Sequence, residues 1–283
     1  LSLAKKEISI NKDNELCFQH ISELVKKLGI FNLSKKDNRE IISNILNRKD
    51  ISHREIFANI NNIISNEILG RLSNLEFGIE DNKDFNIIIK DKLLIQALSL
   101  MIFGSPLWEK ALRNIRKLLL IDYSEDKKVN NNIISFTIAL GAQCFLNEYV
   151  YYISEEEKYK LEEINKLIHN NNNQEYKLAL ISCYQALYSV NNELIDLNNY
   201  KSNSKEFMNL LEMQVNEKLI EQSISKKIAK VGTVADLISR KVKNQYESNP
   251  YPRWRYNSFS KENKLNVITA INSEIYPSKI KPD

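Results

Sequence analysis

NIISFTIALGAQCFLNEYVYY, residues 132–152, and QEYKLALISCYQALYSV, residues 174–190, decide how this chain folds. The first reads as a largely buried helix, and the second is apolar on nearly every side. A helix without a polar face has to be surrounded by other elements. The two segments are therefore predicted to form the core.

Working outward, apolar residues recur at helical spacing on both sides of that core. Leu16, Ile21, Leu24, Val25 and Leu28 mark a first helix, with Gly29 placed to cap it. Ile41, Ile42, Ile45 and Leu46 mark a second. Ser52 and Glu55 have capping-box spacing ahead of Ile56, Ile60, Ile63 and Ile64. Leu93, Leu94, Ala97, Leu98 and Met101 precede Gly104, a candidate stop. Ser105-Pro106 then opens a helix carrying Leu107, Ala111, Leu112, Ile115, Leu118 and Leu119. Ser154 to Glu157 is another capping box. Ser204 can cap a helix with Phe207, Met208, Leu211, Val215 and Leu219, and Thr233 one with Val234, Leu237, Ile238 and Val242. Asp236 in that first turn suits the helix dipole. The Asn-rich stretches 130–132, 170–173 and 198–203 read as connecting loops.

With 6 Gly and 5 Pro among 283 residues, the chain has few of the turn-formers that β-meanders and phosphate-binding loops need. The predicted fold class is all-α: a multi-helix array of antiparallel helices, tetratricopeptide-like or solenoid-like, with an extended Pro/aromatic strap near the C-terminus. The 34-residue tetratricopeptide landmarks do not repeat along the chain. Three regions are expected: an N-terminal helical region over 1–130, a central helical region over 131–243, and a strap and linker over 244–283.

The net charge of +4 is unevenly spread. Residues 226–255 carry eight Lys/Arg against Asp236 and Glu247, which leaves that window at +6. Cys17, Cys144 and Cys183 are odd in number and widely spaced, which suits reduced thiols in a cytoplasmic protein. Apolar runs break well before the roughly 18 to 20 residues a membrane span requires. The chain opens on Leu1, so its reading frame either continues upstream or loses a processed start.

Catalytic chemistry is hard to place. Cys17 and His20 have metal-like spacing, but a zinc site needs three or four ligands and His53 and His169 have no Cys beside them. No nucleophile elbow occurs, and no two glycines lie closer than eight positions, so a glycine-rich nucleotide turn is missing. No catalytic residue and no metal ligand is assigned. Asn147 and Glu148 fall inside the apolar segment 132–152. They are either a buried polar pair needing a partner or, more simply, the wet side of the helix.

The most distinctive stretch is NQYESNPYPRWRY, residues 244–256. Asn249 and Tyr251 each precede a proline, which disfavours helical backbone, so the preceding helix should end near Ser248. Tyr246, Tyr251, Trp254 and Tyr256 supply flat apolar faces, and Arg253 and Arg255 supply forked donors. Such a strap either docks on its own helical body as a rigid linker or has a ligand-binding or interdomain role.

Gln245, Tyr246, Glu247, Ser248, Asn249, Pro250, Tyr251, Pro252, Arg253 and Trp254 together resemble a Gln-Tyr-Glu-x-Asn-Pro-Tyr-Pro-Arg-Trp signature of bacterial class I S-adenosylmethionine-dependent methyltransferases, which often carry tetratricopeptide repeats upstream. CFLNEYVYYISEEE, residues 144–157, is similar to part of that family's helical region. The resemblance spans roughly the last half of the chain. It implies a parent that transfers a methyl group, with a cofactor-binding strand and glycine-rich turn a few tens of residues past the signature. This chain stops at Asp283 without them, so no cofactor is expected in it and S-adenosylmethionine is implied for the parent.

The resulting expectation is a non-catalytic substrate-recognition or scaffolding region. Gln245, Tyr246, Asn249, Pro250, Tyr251, Pro252, Arg253 and Trp254 would face a C-terminal methyltransferase domain of the same parent chain, with a protein substrate as a further partner. The alternative is a freestanding helical protein-interaction adaptor. Nucleic-acid binding through the +6 window ranks below both, because the same charges can neutralise an acidic neighbouring domain.

Overall fold

The computed structural model describes residues 6–7, 10–11, 14–28, 36–170, 172–190, 195–228 and 236–248. Every regular element among them is a helix. In chain order these are α1 (Glu15–Leu28), α2 (Lys36–Leu46), a 3-10 turn (His53–Ile56) running into α3 (Phe57–Ile60), α4 (Asn66–Ser73), α5 (Lys83–Lys90), α6 (Lys92–Leu98), α7 (Pro106–Ile121), α8 (Asn131–Leu146), α9 (Glu155–Lys166) and α10 (Gln174–Ser182). A 3-10 turn (Leu187–Ser189), α11 (Lys205–Leu211), a π turn (Glu212–Asn216), α12 (Glu217–Ser225) and α13 (Leu237–Ser248) follow.

α8 is the axis of the molecule. Ile133 and every residue from Phe136 to Phe145 are buried, and helices from both sides in sequence pack on it: α5, α6 and α7 before it, α10 and α11 after it. Among the described residues, the helices from α1 to α11 and the π turn thus share one core that runs from Phe18 to Val215. The α8–α10 contact is the most extensive among the described residues, and Gly141 makes it so close. A Cβ on Gly141 would lie 1.9 Å from Ser182 Oγ. Glycine stands here because the Ser182 side chain lies against the α8 backbone and leaves no room for a Cβ.

A helix buried all round still carries polar atoms, and these are satisfied within the helix or by groups from other elements. Thr137 donates back to Ile133 O. Gln214, brought to this depth by the π turn, donates to Gly141 O at 3.1 Å and accepts from Leu187 N at 3.0 Å. Lys177 on α10 is fully buried and donates to Leu167 O and Asn170 O at 2.6 and 2.8 Å, closing the turn that leaves α9. Desolvation lowers its pKa, against the opposing charge of Glu125. In the Asn-rich stretch 170–173, Asn170 donates to Glu125 and Asn173 to Lys127 O, tying this loop to the one after α7.

The caps at Ser105, Ser154 and Ser204 form as the sequence predicts: each hydroxyl accepts from the backbone N–H three residues on. Pro106 takes the first helical position. The second stripe, Ile41 to Leu46, is buried throughout.

Several expectations need correction. α1 buries Phe18, Ile21 and Val25, while Leu16 and Leu24 are 49% and 43% exposed, so the core-facing stripe is rotated from the predicted one. Ser52 makes no cap bond, and the Glu55 carboxylate pairs with Lys26 on α1 instead of turning back. The helix expected to carry Ile56 to Ile64 is a 3-10 turn and one α turn ending at Ile60. Gly104 stops nothing, since α6 has ended at Leu98. Residues 174–190 split at Ser182 into α10 and a 3-10 turn. Asn130 caps α8 through Asn132 N, so part of 130–132 belongs to the helix. On α13, Asp236 accepts from Ser239 N, while the predicted cap Thr233, like Gly29, lies outside the described residues.

If the Gly141 approach fixes α10 against α8, Gly141→Ala should destabilise the protein by about 1 to 3 kcal/mol, the usual cost of overpacking. The second substitution Ser182→Ala removes the nearest atom and should restore part of the loss. Urea unfolding followed by circular dichroism checks both; an unaffected midpoint for Gly141→Ala would place the constraint elsewhere.

Candidate functional site

The segment 144–157 is built as a knuckle held from beneath by one arginine. α8 was predicted to run to Tyr152, yet it stops at Leu146. Asn147 forms its cap, and Glu148 and Tyr149 both adopt left-handed backbone, with φ of 58° and 55°. Tyr149 N then donates to Cys144 O at 2.8 Å, turning the chain back over the helix end. Neither residue is Gly or Asn, so this conformation costs on the order of 1 kcal/mol at each position.

Anchors on both sides of the turn offset that cost. Arg116 on α7 is 1% exposed, and its Nη2 donates to Tyr152 O at 2.7 Å and to Glu157 Oε1 at 3.2 Å. Tyr184, just past α10, donates its hydroxyl to Glu157 Oε1 at 2.9 Å. The guanidinium lies 4.2 Å from the Tyr184 ring centroid and 5.7 Å from that of Tyr151. Arg116 Nε and Nη1 have no acceptor among the described residues, and the two ring faces supply the negative potential in its place. Glu157 also closes the capping box, its Oε2 accepting from Ser154 N at 2.8 Å.

Burial alone would raise the Glu157 carboxyl pKa. The Ser154 N–H, the Arg116 charge and the hydroxyls of Tyr184 and Ser154 outweigh that effect, so its pKa is lowered. Burial is also the largest cause of the raised pKa of the Tyr151 and Tyr184 hydroxyls. The centre is thus an ion pair with neutral phenols around it. With Arg116 and Glu157 side chains 1% and 4% exposed, it cannot meet a substrate. Its chemistry is positional: it fixes the loop that lies over it.

That loop displays Val150 and Tyr152, 69% and 71% exposed, beside the exposed Glu148. The expected buried pair is therefore corrected. Glu148 is exposed, Asn147 is half-buried beside the Tyr151 hydroxyl, and neither lies inside α8, because the left-handed turn begins there. Gln245 and Tyr246 fall on the backbone of α13, their side chains outside the description. Asn249, Pro250, Tyr251, Pro252, Arg253 and Trp254 lie outside the described residues.

Arg116, Tyr151 and Tyr184 escaped the sequence reading as site residues. Arg116 carried a signal: it sits four residues after Leu112 and three before Leu119, on the stripe that α7 buries, and an arginine on such a stripe needs a buried partner. Cys144 and Cys183 are buried free thiols close to the same centre. Among the described residues no group of three or more His, Cys, Asp or Glu is placed to hold a metal, and no helix is long and apolar enough to cross a membrane.

Glu157→Gln leaves Arg116 buried without its counter-charge, and stability should fall by about 3 kcal/mol in urea unfolding. The folded carboxyl titrates below the ordinary value of about 4.3. Its contribution is therefore complete above that value and fades as the pH falls through the folded pKa. The stability gap between native protein and Glu157→Gln should narrow on acidification; a gap constant with pH would mean that the carboxylate charge is not what holds the knuckle.

Compared with protein-family models, with curated proteins and with solved structures, the chain gives no match.

Proposed function

We propose that this chain is the helical recognition and scaffolding region of an S-adenosylmethionine-dependent methyltransferase, and that it does not itself carry out the chemistry. The observation that carries this reading is the ten-residue sequence from Gln245 to Trp254, which begins on α13 and continues beyond the described residues. The placement of the second resembling stretch supports it. Residues 144–157 include the strained, anchored knuckle, and strain of this kind persists where the surroundings over-determine it, often at working surfaces.

In this reading the helices form an antiparallel array closed around α8. The knuckle, with Val150 and Tyr152, meets the methyl acceptor, a protein substrate. α13 and the strap at 249–256 join the body to a cofactor-binding domain. The basic side chains on α13, Arg240, Lys241 and Lys243, face that domain and complement acidic residues on it.

Calorimetry distinguishes the two parts. Titrated with S-adenosylmethionine, residues 1–283 should give no heat. A product extended along the native reading frame past Asp283 should bind it. Tight binding by residues 1–283, or none by the extended product, would overturn the proposal.

A further inference from the structure

α4 carries a glycine that its own packing does not explain. Gly70 is the fifth residue of α4 (Asn66–Ser73), and in a helix glycine is the poorest former apart from proline. Gly141 is held to glycine by Ser182 and Gly78 by a φ of 68°, but a Cβ on Gly70 would meet nothing within 4 Å among the described residues. Glycine also serves where something from outside approaches the backbone closely. Gly70 lies on the wall of an open groove of about 730 Å³ between α4 and the loop that leads into α5.

The rest of the groove says what approaches. Phe77, which lines it, is 77% exposed and is held so from both sides. Before it, Asn114 on α7 donates to Leu75 O at 2.7 Å; after it, Ile79 is fully buried. Arg71 and Asp84 neutralise each other in a two-pronged pair at 2.6 and 2.9 Å, which leaves the exposed Glu67 and Glu76 to give the groove its charge. The groove is thus negative in a chain whose net charge is +4. An exposed ring beside two carboxylates suits a cationic side chain, whose apolar stem lies on the ring while its head meets the carboxylates. Glu67, Gly70 and Asn74 follow one side of α4 for two turns, about 10 Å, the length of roughly three residues of extended chain.

We propose that this groove binds a basic segment of a partner protein. Two Lys or Arg side chains of that segment meet Glu67 and Glu76, the stem of one lies on Phe77, and the segment's backbone passes over Gly70. The contact is small beside a standard interface, so it is weak and reversible. Neither the knuckle nor the strap takes part, and the binding stands whether or not the parent transfers a methyl group.

Fluorescence polarisation of a labelled peptide of Arg-Leu-Gly repeats, titrated with residues 1–283, tests this against a peptide of Asp-Leu-Gly repeats. The Arg peptide should bind at low salt and weaken as salt rises, and the Asp peptide should not bind. Glu67→Lys combined with Glu76→Lys should weaken binding about tenfold or more, because two attractions become repulsions. Phe77→Ser should weaken it without moving the urea midpoint. Gly70→Ala should raise the urea midpoint, since alanine favours the helix and meets nothing, while Gly70→Leu should fill the groove and abolish binding. A lowered midpoint for Gly70→Ala would overturn the proposal, because glycine would then serve the fold. Equal binding of the two peptides would overturn it, as would unchanged binding by Gly70→Leu or by the charge-reversed protein. So would no binding of the Arg peptide, the result expected if the chain's own basic window at 226–255 fills the groove.

Discussion

A helix with no polar side constrains everything placed around it. α8 has to be covered on every face, and the chain meets that requirement by bringing α5, α6 and α7 to it from one side in sequence and α10 and α11 from the other. Covering a helix completely isolates its polar atoms from water, so any not satisfied within the helix need a hydrogen-bonding group brought to the right depth. Gln214 does this from the π turn. The contact at Gly141 sets the tightest tolerance, because there backbone and not side chain meets the neighbouring helix.

How much of this was legible depended on what kind of physics decided each feature. Local signals were read well: the hydroxyl caps at Ser105, Ser154 and Ser204, the buried stripe of α2, and the centrality of residues 132–146 all follow from spacing and propensity. Features decided by a distant partner were not. Glu55 has capping-box spacing, but a lysine on α1 outcompetes the local bond. The end of α8 at Leu146 is set by Arg116, some thirty residues earlier in sequence, which draws Tyr152 and Glu157 inward and so bends the chain between them. No periodicity within 132–152 contains that information.

The candidate site shows the same division. Asn147 and Glu148 drew attention because they are polar residues in an apolar run, and they do mark an unusual place. What they mark is a change of backbone conformation, not a buried pair. The residues that make the place possible, Arg116, Glu157, Tyr151 and Tyr184, come from three separate parts of the chain. A lone arginine within the buried stripe of α7 was the one clue to them. The centre they form is electrostatically complete, so its influence is exerted through the exposed loop above it.

The π turn at Glu212–Asn216 has a further consequence for how this molecule could change over evolutionary time. A π turn accommodates one residue more than an α turn, and each residue advances a helix by about 100°. The residue count within those five positions therefore acts as an angular setting for everything after it. Loss of a single codon there would leave Phe207, Leu210 and Leu211 of α11 in place and swing the exposed Leu219, Ile220 and Ile224 to a different bearing. A surface can thus be re-aimed without changing any residue on it, and length variation at this turn would alter what the molecule meets sooner than substitution on α12 itself.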